Sequence, residues 1–163
     1  MKKLLAVITI FVCLLSVSTM AYGINHAMWT HGTSLQIETP NNFVSVTPYG
    51  FYKALIGRSN TSSWVHFQIP TPLIVNDVRL KASSVLLTFK TSSSSAQVKA
   101  VHVYDGDTKI ASFENLTLYG NVGMIRFTLS NAPLIYQGLN ISVLTSFGAQ
   151  SEIDFISAGC DFY

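Results

Sequence analysis

The sequence predicts an all-β fold: an antiparallel, jelly-roll-like β-sandwich of about eight to ten short strands. Three observations predict it. Apolar residues recur with period two in many short runs. Clusters of turn-forming residues separate those runs at regular intervals. Ser and Thr supply 29 of the residues from Ile24 onward, and no stretch there holds an apolar 3.6-residue period for three turns, so long amphipathic helices are excluded.

The elements follow in order. Met1-Lys2-Lys3 is a cationic head, residues 4–17 form an apolar core, and Ser18, Thr19, Ala21 and Gly23 are small. This is the pattern of a secretory signal peptide over residues 1–23, cut after Ala21 or after Gly23, and it predicts a secreted, extracytoplasmic protein. A retained anchor is disfavoured, because fourteen helical residues cover about 21 Å of a hydrocarbon core of about 30 Å. One domain over residues 24–163 is the expected remainder, with no membrane span of its own.

Strand patterns fall at residues 34–38, 51–56, 64–69, 78–82, 85–90, 98–104, 109–113, 124–129, 139–147 and 153–156. In the run from Trp64 to Ile69, Val65, Phe67 and Ile69 share one face and Trp64, His66 and Gln68 the other. Turns are expected at Pro40-Asn41-Asn42, Pro48-Tyr49-Gly50, Pro70-Thr71-Pro72, residues 92–95, Asp105-Gly106-Asp107 and Tyr119-Gly120-Asn121. Asp105-Gly106 between two alternating runs is a hairpin signal, since glycine tolerates positive φ. A small outer-membrane barrel is the rival architecture. It needs strands of about 9 to 11 residues, apolar strictly on one face. Val85-Leu86-Leu87-Thr88-Phe89 is apolar on both faces, which suits a sandwich core.

Charge and cysteine content bound the function. The chain carries 10 Lys+Arg and 8 Asp+Glu. Without Lys2 and Lys3 the two balance, so no cationic face for nucleic acid is expected. Cys13 lies in the leader, leaving Cys160 alone and no internal disulfide framework. Cys160 reads as a buried small hydrophobe or as the site of an intermolecular disulfide in a homo-oligomer.

The words His31-Gly32-Thr33-Ser34, Trp64-Val65-His66-Phe67, Ile69-Pro70-Thr71-Pro72, Val101-His102-Val103-Tyr104-Asp105-Gly106 and Gly159-Cys160-Asp161-Phe162 resemble a family of small secreted microbial β-sandwich proteins classed as a domain of unknown function. The resemblance spans most of residues 29 to 162. It implies a sandwich fold and brings no catalytic residues with it.

Chemistry-bearing residues are sparse. No G-x-S-x-G elbow occurs, and Asp105 and Asp107 share one turn rather than facing across a cleft. They read as turn formers, with a calcium site as the alternative. His31, His66 and His102 read as hydrogen-bonded rim residues or as parts of one binding pocket. His66 and His102 lie in strands beside Trp64 and Tyr104, and His31 precedes the first strand. His26 would be third from a free amine if the mature chain began at Ile24, a set of four nitrogens suited to square-planar Cu(II) or Ni(II). Pro48-Tyr49-Gly50-Phe51-Tyr52 cannot bury all its rings on one strand face, so at least one is expected to be exposed.

The sum is an exported, non-catalytic binding or adhesion module. Its preferred ligand is a glycan or cell-envelope polymer, met by His31, Tyr49, Trp64, His66, His102 and Tyr104. A self-associating extracellular structural protein is the alternative.

Overall fold

The structure, a computed structural model, describes residues 23–163. The leader assigned to residues 1–23 lies outside the described residues but for Gly23. Thirteen strand segments follow in order. They are β1 (His26–His31), β2 (Gln36–Ile37), β3 (Phe43–Pro48), β4 (Lys53–Gly57), β5 (Thr61–Gln68), β6 (Ile74–Val75), β7 (Val78–Arg79), β8 (Ala82–Thr91), β9 (Ala96–Asp105), β10 (Thr108–Phe113), β11 (Asn121–Thr128), β12 (Leu139–Phe147) and β13 (Ser151–Phe162).

Ten of these are five residues or longer. Together with the two-residue β2 they build two antiparallel sheets. The six-stranded sheet runs β11-β8-β13-β4-β3, and β1 joins β13 beyond the end of β4. The five-stranded sheet runs β10-β9-β12-β5-β2. The short β6–β7 hairpin stands apart. Of the two architectures weighed above, this is the jelly-roll-like sandwich: two sheets with a side-chain core between them. Among the described residues no helix is long and apolar enough to cross a membrane.

Alternation builds the core. Val65 and Phe67 of β5, Val101 and Val103 of β9, and Ile141 and Val143 of β12 point inward, against Leu87 and Phe89 of β8 and Phe155 of β13. Phe67 meets Phe155 edge to face, with ring centroids 5.5 Å apart. Each fully buried ring of this kind stabilises the fold by about 2–3 kcal/mol. Gly57 lets the sheets approach, because a Cβ there would lie 2.1 Å from the Phe147 ring.

Four expectations need correction. The strand expected at 78–82 is split, with Val78–Arg79 in β7 and Ala82 opening β8. His31 does not precede the first strand; it ends β1, paired with Ser157. The pattern at 34–38 yields only the two residues of β2, preceded by a 3₁₀ turn at Gly32–Ser34. The strand expected at 153–156 is in fact the twelve-residue β13, the centre of its sheet.

Cys160 lies on β13 with its side chain in the core and no exposed surface. Burial, with Asp161 adding to it, pushes its thiol well above the ordinary range. The small-hydrophobe reading of Cys160 therefore describes its setting, and a disulfide to another chain would require opening the core.

Candidate functional site

The outward face of the five-stranded sheet carries a broad concavity that gathers four of the sequence-predicted residues. Pairing register puts a row of side chains across all five strands: Ser112 (β10), His102 (β9), Ser142 (β12), His66 (β5) and Gln36 (β2). On one side of it lies the row Tyr104–Asn140–Gln68, and on the other Ala100–Leu144–Trp64. The serine at the centre is small and its neighbours are large. The result is a floor at Ser142 with walls of Trp64, His66, His102 and Tyr104, enclosing about 550 Å³.

The walls are held by hydrogen bonds. His66 Nδ1 lies 2.9 Å from Ser142 Oγ, and its Nε2 lies 3.3 Å from Glu38 Oε2. Asn140 Nδ2 donates to Ser142 Oγ at 3.0 Å. His102 Nε2 meets Glu114 Oε1 at 2.5 Å. The Trp64 ring tilts over the small central residue to reach His102, with centroids 4.5 Å apart, and His102 lies 6.3 Å from Tyr104. Three flat rings thus run diagonally across the sheet, flanked by amide, hydroxyl and carboxylate groups.

The end wall is a hairpin. Asp105 pairs with Thr108, so the turn residues are Gly106 and Asp107, one position beyond the Asp105-Gly106 pair expected. Gly106 has φ +58, the positive value a type II′ turn requires at its first central residue. Asp105 is not a solvent-facing turn former. It is buried, and its carboxylate accepts the backbone N–H groups of Tyr136, Gln137 and Gly138 at 2.8, 2.8 and 2.9 Å. Burial alone would raise its pKa. The three N–H bonds and the nearby Arg79 outweigh that and hold it below the usual carboxylate value. Both its oxygens are engaged with backbone donors, so the Asp105/Asp107 calcium alternative lacks a free ligand at Asp105.

The structure brings together Trp64, His66, His102 and Tyr104 at this concavity. It does not bring His31 or Tyr49. His31 lies on the other sheet, where its Nδ1 caps the 3₁₀ turn through Thr33. Tyr49 stacks on Tyr52 at the β3–β4 tip, centroids 4.7 Å apart. At that tip Tyr49 and Phe51 are 50% and 59% exposed. His26 sits in β1 opposite Phe162. The copper arrangement would need the Asn25 amide, which already donates to Phe162 O at 3.0 Å. Among the described residues no three His, Cys, Asp or Glu side chains converge as a metal site would require.

Sequence reading missed Glu38, Asp107, Asn140 and Ser142 as lining residues. Asn140 and Ser142 occupy the outward positions of an alternating strand, which is a legible signal. Their placement between His66 and His102 is not, because it depends on β12 pairing with both β5 and β9.

A family model described as a family of unknown function, DUF6623, matches residues 24–159. No curated protein matches the chain in sequence. Among solved structures, the chain is similar to a cyclase from Fischerella sp. TAU in complex with 4-(1H-indol-3-yl)butan-2-one, at 15% identity, 81% coverage of this chain, 87% of that one and a TM-score of 0.47. It is similar to TmCBM61 in complex with β-1,4-galactotriose at 14% identity, covering 86% and 88%, with a TM-score of 0.45. It is similar also to CBM29_1, a family 29 carbohydrate binding module from Piromyces equi, at 13% identity, covering 83% and 90%, with a TM-score of 0.44. At these values the likenesses carry no argument about ligand or reaction.

Proposed function

The chain belongs to the DUF6623 family, whose function is unknown, and from the geometry of its site we propose that it is a non-catalytic, exported module that binds a glycan or envelope polymer on the outer face of its five-stranded sheet. The observation that carries this reading is the ring row Trp64–His102–Tyr104 lying beside Ser142, Asn140 and Glu38. Flat apolar faces pack against the C–H faces of sugar rings, and the neighbouring polar groups meet the hydroxyls. The rings stand on paired strands, so little ordering is needed on binding.

The Glu38–His66–Ser142 contacts have the composition of a nucleophile relay, and they support binding rather than catalysis. Backbone N–H groups of β5, β9 and β12 are engaged in the sheet ladder, which leaves none aimed at the concavity to hold an oxyanion. The contacts fix His66 and the serine hydroxyl as oriented hydrogen-bonding groups.

The test is a titration of the purified protein with a panel of envelope and plant polysaccharides, read by tryptophan fluorescence and calorimetry. At least one should bind, and Trp64→Ala should weaken it by at least about tenfold while the circular dichroism spectrum stays the same. Binding that survives Trp64→Ala and Tyr104→Ala, or no binding across the panel, overturns the reading.

A further inference from the structure

Resting on the glycan reading above, we infer that the ligand is a cationic amino-sugar oligomer, of the deacetylated glucosamine class. The ring row has a carboxylate at each end. Beside Trp64, Glu38 follows β2 with its backbone N–H bonded to Trp64 O at 3.0 Å, and its carboxylate lies on the rim of the concavity. Beyond Tyr104, the Gly106–Asp107 turn closes the other end with the exposed Asp107. Glu114 adds a third carboxylate behind His102.

No Lys or Arg lines the concavity. Lys109, opposite Tyr104 on the edge strand β10, is outside the lining. Glu38 and Asp107, with no cation in the lining, give the concavity a negative potential at its two ends, although the chain as a whole carries no excess of acid. An ammonium group gains twice here. It forms charge-assisted hydrogen bonds with the carboxylates, and it is attracted to the faces of Trp64 and Tyr104. A uronate would be repelled, and an N-acetylated unit would gain neither.

The spacing of the ends indicates an oligomer. From β9 to β2 is three strand steps, or about 14 Å, longer than one sugar ring. Amines on separate units of one chain can therefore meet Glu38 and Asp107 while the rings between them lie over Trp64 and His102.

The experiment compares three tetramers by calorimetry: glucosamine, N-acetylglucosamine on the same backbone, and galacturonate. Glucosamine tetramer should bind about tenfold or more tighter than its acetylated counterpart, an advantage that shrinks at high salt. Galacturonate should be weakest. The double variant Glu38→Gln/Asp107→Asn, altered at two exposed positions, should bring the glucosamine and acetylated tetramers to within about twofold of each other. Trp64→Ala should weaken both. Equal or tighter binding of the acetylated or uronate tetramer, with dependence on Trp64 retained, overturns this inference and leaves the glycan reading standing. Failure of glucosamine tetramer to bind also overturns it, and if the polysaccharide panel fails as well, both fall.

Discussion

Each sheet turns one face to solvent, and the two faces dispose of their outward residues in opposite ways. On the six-stranded sheet, register sets Arg126, Leu86, Gly159 and Trp29 in one row and Thr128, Ser84, Asp161 and Ala27 in the next. Trp29 lies down on Gly159, so closely that a Cβ there would be 2.6 Å from its ring. Arg126 reaches across rows to bind both Asp161 and Ser84, and Ser84 also donates to Asp161 at 2.9 Å. Leu86 is buried although it points away from the core. This face is closed on itself. On the five-stranded sheet the small residue at the row centre, Ser142, is only 4% exposed, but the large residues around it leave a concavity above it instead of filling the space. Alternation decides which side chains leave the core. Whether they remain available to a ligand depends on the size order of their neighbours in the row: a glycine under a tryptophan makes a lid, and a serine between histidines makes a floor.

The comparison can be tested most severely at the end wall of the open face. Asp105→Ala should destabilise the protein by about 3 kcal/mol in urea denaturation, since three backbone donors lose a charged acceptor. The acid dependence has a definite sign. The folded pKa of Asp105 lies below its ordinary 3.8, so the unfolded chain takes the proton first. Its stabilisation is complete above about pH 4 and drains away as pH falls toward the folded value. The gap between wild type and Asp105→Asn should therefore narrow below that pH. A gap that widens in acid would mean that the carboxylate is not held by those three N–H groups.

On the closed face, Arg126→Ala leaves Asp161, only 3% exposed, with Ser84 as its remaining side-chain partner. A loss of about 2 kcal/mol is expected, below the usual cost of breaking a buried pair because Arg126 itself is 44% exposed. Glycan affinity should not change. If affinity falls with stability, the two faces are coupled through the core and the contrast between them fails.

Gly159→Ala should cost about 1 kcal/mol. The new methyl must lift the Trp29 ring, and that ring is 40% exposed and has room to move. Its fluorescence should shift toward that of a solvated tryptophan. An unshifted spectrum would show that Trp29 does not lie on Gly159, and the closed face would lose its lid.

Legibility followed the range of the interactions. The hairpin at Gly106 was readable because its cause, glycine at positive φ, is local. So were the inward positions of β5, which alternate without interruption, and those of β9 on either side of its irregularity at Lys99. The C-terminal half of β13 was not, because Gly159 and Asp161 are poor strand formers taken alone. They are explained only by Trp29, Arg126 and Ser84, from strands distant in sequence. The site divides the same way. Trp64, His66, His102 and Tyr104 declared themselves as outward rings on alternating strands, whereas Glu38, Asn140 and Ser142 acquire their roles from the β9-β12-β5-β2 order. His31 and Tyr49 were drawn in by residue type alone, and type says nothing about which sheet a side chain faces.

The smallest expected effect is at the floor of the open face, and it separates binding from catalysis. Ser142→Ala removes a hydroxyl that partners His66 Nδ1 and accepts from Asn140. The methyl group fits the space, and both partners can turn to water in the concavity, so stability should fall by less than about 1 kcal/mol. Glycan affinity should change by no more than about threefold, because the rings supply most of the contact. A nucleophile would behave differently. Wild-type protein would then take up a fluorophosphonate probe at Ser142, turn over an activated ester, and lose both properties completely in Ser142→Ala with affinity intact. Labelling at Ser142 would mean that the Glu38–His66–Ser142 contacts activate the hydroxyl, and the open face would be a reaction site. An unlabelled serine leaves those contacts as the brace that keeps His66 upright beside the floor of the concavity.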